Sequence, residues 1–409
     1  MMDFTNRVRG TRDFLPPLSV KRAEFLRIIE ETYSEFGFAP WDTPALETAE
    51  LLTSKGGEEI RDELYLFKDK AGRGIGLRFD LTLPTARVLA ENKTMPLPVK
   101  RYMIGKVWRY DRPQAGRFRE FTQADVDIFG TTNLLADAEV IAAPWTALKR
   151  AGLEGTVQLN DRRLLDAIAD YIELSKDRRD EFYRAIDKWY KIGEDGVREE
   201  LKDLAPFLDK FLEFNVDLDE LPEKSEEISK AKDDLLKLGE YLDDFGVLWA
   251  FNVFVVRGLD YYTGPIFETF VDRPTSILSG GRYDELIGLL GGKEVPATGG
   301  SIGVDRVLDL YVDSMNLNAD EADIFVAVIP GYEDMAIKIS KELRKSGKRV
   351  FMDVTGRKLG KQLADAERRG IKTVIIVGKE TEEGKVVVKD MESGEQKAVP
   401  ITELAGQKH

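Results

Sequence analysis

With 409 residues, 43% of them hydrophobic and 33% charged, the chain is too long for one ordinary core and too apolar for a disordered one. No run approaches the roughly 18 consecutive apolar residues of a membrane span, and residues 1–15 lack the apolar core of a signal peptide, so a cytoplasmic protein is expected. The chain has no cysteine and a single histidine, the terminal His409, which excludes disulfides, thiolate nucleophiles, Cys-ligated zinc and an internal histidine base. Chemistry is left to carboxylates, arginines, tyrosines and substrate-borne phosphates with magnesium.

A net charge of −14 opposes a polyanionic partner, but it is unevenly spread. Between residues 173 and 245 acidic residues outnumber basic ones by ten, whereas residues 322–409 hold 17 basic against 14 acidic. A nucleic acid can therefore bind away from the acidic segment.

In chain order, Leu18, Phe25, Leu26, Ile29 and Tyr33 predict a helix over 18–36, with Gly37 as its C-cap. An extended segment follows, Ala39 to Pro44, whose proline marks a strand end or a sheet edge. Tyr102 to Tyr110 and Arg119 to Phe129 predict an antiparallel hairpin with a long polar tip carrying Pro113, Gln114 and Gly116. By the period of two, Gln123, Asp125 and Asp127 share one face of its second strand, opposite Val126 and Ile128. Residues 134–151 and 161–172 predict amphipathic helices around a strand at Thr156 to Leu159, and charged helical sequence fills 173–245. Strands return at Phe251 to Val256 and Ile266 to Val271, broken by a turn at Thr263 to Pro265. Ile324 to Ile329, Arg349 to Val354 and Thr373 to Val377, separated by helical sequence at 333–346 and 358–370, predict a βαβαβ unit.

Three clusters carry chemistry. The hairpin tip places four arginines between Arg109 and Arg119, and their forks match phosphate oxygens, as for a triphosphate or RNA; a solvated basic loop is the plain alternative. Arg257 to Gly264 sets Tyr261 and Tyr262 beside an arginine in a glycine-bounded turn, which suits a small polar ligand or a packed sheet corner. Gly280 to Asp284 and Gly299 to Arg306 place glycines before an amphipathic helix, which either admits a phosphate or serves a tight packing turn.

Together these clusters resemble class II aminoacyl-tRNA synthetases, and more closely the histidyl-tRNA synthetase family, over nearly the whole chain. Arg9-Gly-Thr-Arg-Asp-Phe-Leu-Pro16 resembles that family's amino-terminal element, and the first helix, strand and Pro44 resemble motif 1, which implies a homodimer. Ile104 to Phe129 resembles motif 2, and Gly303-Val-Asp-Arg306 the end of motif 3. Arg257 to Gly264 and Ser279 to Tyr283 resemble the two histidine-specific motifs.

The resemblance implies an α+β fold: an antiparallel class II sheet core with helices, a helical insertion, and a carboxy-terminal α/β anticodon-binding domain. The divisions would be 1–172 and 246–320 for the catalytic domain, 173–245 for the insertion and 321–409 for the anticodon-binding domain. It implies activation of histidine by ATP with magnesium, without zinc, followed by transfer to tRNA(His). Arg109 and Arg257 would be catalytic, Arg109 holding the α-phosphate and the activated carboxylate and Arg257 facing both. Arg117 and Arg306 would hold the outer phosphates and Phe121 would stack on adenine. Asp127 and Tyr262 would read the imidazole, which offers one donor and one acceptor. Tyr261 would pack beside the ring, with Asp80, Thr82 and Gln123 at the α-ammonium and Leu81 completing the Asp-Leu-Thr run. Asp80 and Asp127 stand where many members carry glutamate, each one methylene shorter; one branch of the family shares the Asp-Leu-Thr pattern.

The nearest rival is the synthetase-like regulatory subunit of ATP phosphoribosyltransferase, which lacks a carboxy-terminal domain and has eroded motifs; here Arg109, Arg257 and Arg306 are all present. A class II synthetase of prolyl or threonyl specificity and a noncatalytic RNA-binding module are further alternatives. In the carboxy-terminal domain Arg344, Lys345, Lys348, Arg349, Arg357, Lys358, Lys361, Arg368 and Arg369 are the candidates for tRNA phosphate contacts, against ordinary solvated helix faces.

Overall fold

The structure, a computed structural model, describes residues 5–54, 58–110, 116–257 and 261–404. Its contacts divide the chain into two compact units, Met1–Arg12 with Phe25–Asn316, and Asp13–Glu24 with Leu317–His409.

The first unit is built on an eight-stranded sheet. From one edge its strands run Ala39–Pro40, Val99–Trp108, Glu120–Phe129, Ala297–Gly303, Leu278–Arg282, Pro265–Phe270, Thr156–Asp161 and Trp249–Phe251. The hairpin forms as its alternation requires, with Val99 opposite Phe129 and Trp108 opposite Glu120. All pairings between neighbours are antiparallel except those of the two outermost strands. This antiparallel α+β core is the predicted class.

The helix Leu18–Glu35 buries Phe25, Ile29 and Tyr33 and is closed by Gly37 in the left-handed region at φ +77°. The extended segment after it contributes only Ala39 and Pro40 to the sheet, so Pro44 lies beyond the strand end. The apolar run Val253 to Val256 is buried without being a strand. The buried Asn160 amide donates to the carbonyls of Val253 (3.1 Å) and Val255 (2.9 Å), doing for this loop what a neighbouring strand would otherwise do. A separate three-stranded sheet, Leu46–Thr48, Gly74–Leu77 and Leu66–Lys68, has no counterpart in the predicted elements; its strands are too short to show a period. Residues 173–245 are helical, and their last helix, Glu226–Asp244, packs on Leu134–Arg150 and Arg162–Tyr171 within the same compact unit.

In the second unit the βαβαβ core is Ile324–Val328, Glu333–Lys345, Val350–Met352, Leu359–Arg368 and Thr373–Val377, with the three strands parallel. Two further strands, Lys385–Asp390 and Gln396–Pro400, extend the sheet antiparallel beyond Thr373–Val377. Their lysines mask the buried Val386 and Val399, which face each other across the two strands.

Candidate active site

The site is assembled on the strand Glu120–Phe129. Gln123, Asp125 and Asp127 do share one face, but that face is covered, since Asp125 and Asp127 are both nearly inaccessible. Directly across the hairpin from Asp127 stands Arg101, fully buried and ion-paired with it. On the other side the Tyr283 hydroxyl donates to Asp127. Burial pushes the Asp127 carboxyl up, while Arg101 and the Tyr283 hydroxyl pull it back. Opposite it lies Gly299, where a Cβ would collide with the Asp127 carboxylate, so glycine is required for the strands to close. Arg101 Nε and Nη1, Gln123 Oε1 and Asp125 Oδ1 are buried with no hydrogen-bond partner among the described residues. A concentration of unpartnered polar atoms on one buried face is the mark of a ligand site rather than of a core.

Asp80 lies at the start of the helix Thr82–Glu91 and accepts from the Leu83 amide (3.0 Å). Thr82 is that helix's first residue. The Leu81 side chain is fully buried against Met103, Val107 and Phe121, which leaves its backbone as the part a ligand could reach. Its carbonyl takes the Thr85 hydroxyl (2.8 Å) and Arg101 (3.4 Å). Tyr261 and Tyr262 stack at a tilt, centroids 4.3 Å apart, and the Tyr261 hydroxyl donates to that of Tyr262 (3.1 Å). Burial raises both phenols, Tyr261 to about 12, so both stay protonated as donors. Tyr261 meets the Tyr283 ring edge-on with centroids 6.0 Å apart, and Tyr283 holds Asp127, so the predicted tyrosines lie beside that carboxylate.

At the other end of the strand is a cleft lined by Arg109, Gly116, Arg117, Phe118, Phe121, Gly303, Asp305 and Arg306. Arg109 lies over the Phe121 ring at 5.4 Å and donates from Nε to the Phe79 carbonyl (2.9 Å). Arg306 donates from Nη1 to the Ser276 carbonyl (3.0 Å). Burial, then the neighbouring guanidinium charges of Arg257, Arg117 and Arg109, drive the Arg306 pKa down to about 10. A cluster of cations that carboxylates offset only in part favours an anion in the cleft. Arg257 is ion-paired through Nε with the buried Glu268 (2.6 Å), which fixes the guanidinium's direction. Asp305 accepts from the Thr122 amide and is paired with Arg12 (3.1 Å), which ties the amino-terminal element to the helix carrying Arg306. The tip residues Pro113 and Gln114, and Gly258 to Asp260, lie outside the described residues.

Arg101, Tyr283, Ser301 and Glu268 were not assigned roles from sequence. Arg101 was reachable, because the predicted hairpin register sets it opposite Asp127; Ser301 and Glu268 come from strands whose neighbours no local pattern reveals.

The family model for histidyl-tRNA synthetase matches residues 10–307. The chain belongs to the histidyl-tRNA synthetase family. Within this family it is 39% identical to the histidine–tRNA ligase of Aeropyrum pernix, over 97% of this chain and 95% of that one, and 38% identical to that of Methanocaldococcus jannaschii, over 99% of each. Its fold matches a crystal structure of histidyl-tRNA synthetase from Nostoc sp. PCC 7120 with TM-score 0.87 and 28% identity, covering 99% of both chains. It also matches an ATP phosphoribosyltransferase regulatory subunit/histidyl-tRNA synthetase from Bacillus halodurans with TM-score 0.77 and 25% identity, over 92% of this chain and all of that one. Beyond the synthetase model, residues 323–407 match an anticodon binding domain.

Proposed function

We infer that the chain is a histidine–tRNA ligase, which activates histidine with ATP and transfers it to tRNA(His). One observation carries the mechanism: a cleft of four converging arginines and a buried carboxylate pocket lie along the same strand. Phe121 and Asp127 are six residues apart, about 20 Å of extended chain, a span suited to an aminoacyl-adenylate laid out along it. The adenine end would stack at Phe121, with Arg109 on the α-phosphate and Arg117 and Arg306 on the outer phosphates. Histidine would lie at Asp127 and Tyr262, beside Tyr261, with Asp80, Leu81, Thr82 and Gln123 around its α-ammonium.

In activation a carboxylate oxygen of histidine bonds to the α-phosphorus as the bond to the β-phosphate oxygen breaks and diphosphate leaves. Arg257, directed by Glu268, and Arg109 stabilise the negative charge that grows on the α-phosphate, and being prealigned they need no reorganisation. Magnesium enters on the nucleotide phosphates as part of the substrate. The 3′-terminal adenosine of the tRNA then attacks the acyl carbonyl and AMP departs.

In the carboxy-terminal domain a pocket at the carboxyl ends of two parallel strands, lined by Val328, Ile337, Met352, Val354 and Gly356 with Glu333 and Asp353, is suited to a splayed anticodon base. The match to an anticodon binding domain favours a ligase over a purely regulatory subunit. The same reading makes the protein a cytoplasmic homodimer joined through the motif 1 region. It keeps 1–172 and 246–320 as the catalytic domain, 173–245 as its insertion and 321–409 as the anticodon-binding domain. Exchange of labelled pyrophosphate into ATP, screened across the twenty amino acids and followed by tRNA charging, tests it. Histidine alone should support exchange; exchange driven by another amino acid would overturn the specificity.

A further inference from the structure

Asp125 has no part in the reactions above, yet it occupies the middle of the polar face. A carboxylate held fully buried beside Asp127, with Asp80 nearby, is costly to keep. Its surroundings supply a reason. Asp125 sits directly across from Ser301 on the strand Ala297–Gly303, so the two side chains lie on one face, and the Ser301 hydroxyl acts to lower the Asp125 pKa. Ser301 Oγ in turn accepts from Gln123 Nε2 at 2.9 Å. A serine hydroxyl has a single proton. A carboxylate can only accept, so the proton of Ser301 goes to Asp125 and its lone pairs face Gln123. The Gln123 amide must then present its NH2 to Ser301, leaving Oε1 turned away. That oxygen is buried and has no partner among the described residues.

We propose that Asp125, acting through Ser301, is a positioning residue that locks the Gln123 amide with its oxygen toward the α-ammonium of histidine. The inference rests on the placement of the α-ammonium at Gln123 given above. A flipped amide would set an NH2 against an ammonium and lose its bond to Ser301. Asparagine at 125 would permit that flip, because its own NH2 could donate to Ser301 and reverse the chain. Burial, with Asp127 adding to it, pushes the Asp125 carboxyl up to about 7, and the positive charge of the bound ligand favours its ionised, accepting form.

The test compares the affinity of the protein for histidine and for 3-(imidazol-4-yl)propionate, which lacks the amino group, by calorimetry at pH 8. In Asp125→Asn and Ser301→Ala the preference for histidine over the desamino ligand should fall about tenfold, with affinity for the desamino ligand kept within about twofold. Ser301→Thr, which keeps the hydroxyl, should restore the preference. Equal weakening of both ligands would mean that Asp125 only supports the fold, and overturns the proposal. Gln123→Ala separates the two layers. A preference lost there but intact in Asp125→Asn and Ser301→Ala overturns the relay alone; a preference unaffected by Gln123→Ala removes the amide from the ammonium site and the relay with it.

Discussion

Two sets of arginines in this molecule are treated in opposite ways. In the carboxy-terminal unit Arg349 is paired with Asp323 (2.6 Å), Arg357 with Asp353 and Asp365 (3.1 Å each), and Arg369 with Glu321 (2.6 Å) and Asp365 (3.4 Å). Although burial pushes the Asp365 carboxyl up, the hydrogen bonds from Arg357 and Arg369 outweigh it and hold it below its ordinary value. In the arginine-lined cleft Arg306 faces Arg257, Arg117 and Arg109, and Glu268 offsets them in part. Matched arginines hold a fold together, while unmatched ones store a demand for an anion. Of the basic residues singled out in the carboxy-terminal domain, Arg349, Arg357 and Arg369 are thus committed within it. Lys348, Lys358 and Lys361, which have no ion pair among the described residues, are the stronger candidates for tRNA phosphates.

The contrast can be broken from either side. The largest effect is expected for Arg257→Ala, which should cut histidine-dependent pyrophosphate exchange by about 10²–10³-fold while the protein still folds, since the side chain is 43% exposed; near-normal exchange would sink its catalytic assignment. Next, Asp365→Ala should weaken the carboxy-terminal unit by about 1–3 kcal/mol, seen as an earlier unfolding transition, with pyrophosphate exchange unchanged. An unaltered transition would show that this carboxylate is not the anchor of its arginines. Arg306→Gln should raise the KM for ATP about tenfold and leave that for histidine alone; a rise confined to histidine would contradict its place on the outer phosphates.

The smallest effect concerns the buried carboxyl of Asp125. Its folded pKa, about 7, lies above its ordinary 3.8, so the folded chain holds a proton that the unfolded chain releases between those values. Stability therefore falls as pH rises through that window, and the full penalty applies above it. Asp125→Asn should raise the unfolding midpoint by about 2 °C at pH 8 and lose most of that advantage by about pH 4. A gain of equal size at both pH values would place the effect elsewhere.

Much of this was legible in the sequence because period and punctuation carry it. The hairpin declared itself by alternation, the carboxy-terminal core by short apolar runs between helices, and the arginine-lined cleft by arginine density. What escaped was set by pairings between distant strands. That Asp127 is held by Arg101 and Tyr283, rather than open to ligand on all sides, depends on which strands lie beside it. Arg101 could be read across a local hairpin, but Tyr283 is 156 residues away. Val253 to Val256 misled for a related reason, since Asn160 meets that loop's backbone from another strand.

Gly280, Gly281, Gly299 and Gly300 face one another on adjacent strands, and a Cβ at Gly299 would strike Asp127 while one at Gly281 would press on Tyr262. At Gly281 and Gly299 the floor of the pocket is therefore bare main chain that no side chain can build up without displacing Tyr262 or Asp127, the groups proposed to read the imidazole. On the proposed reading, drift or redesign toward another amino acid is closed from below, and a change of specificity has to enter through the walls, at Tyr262, Tyr283 and Asp127.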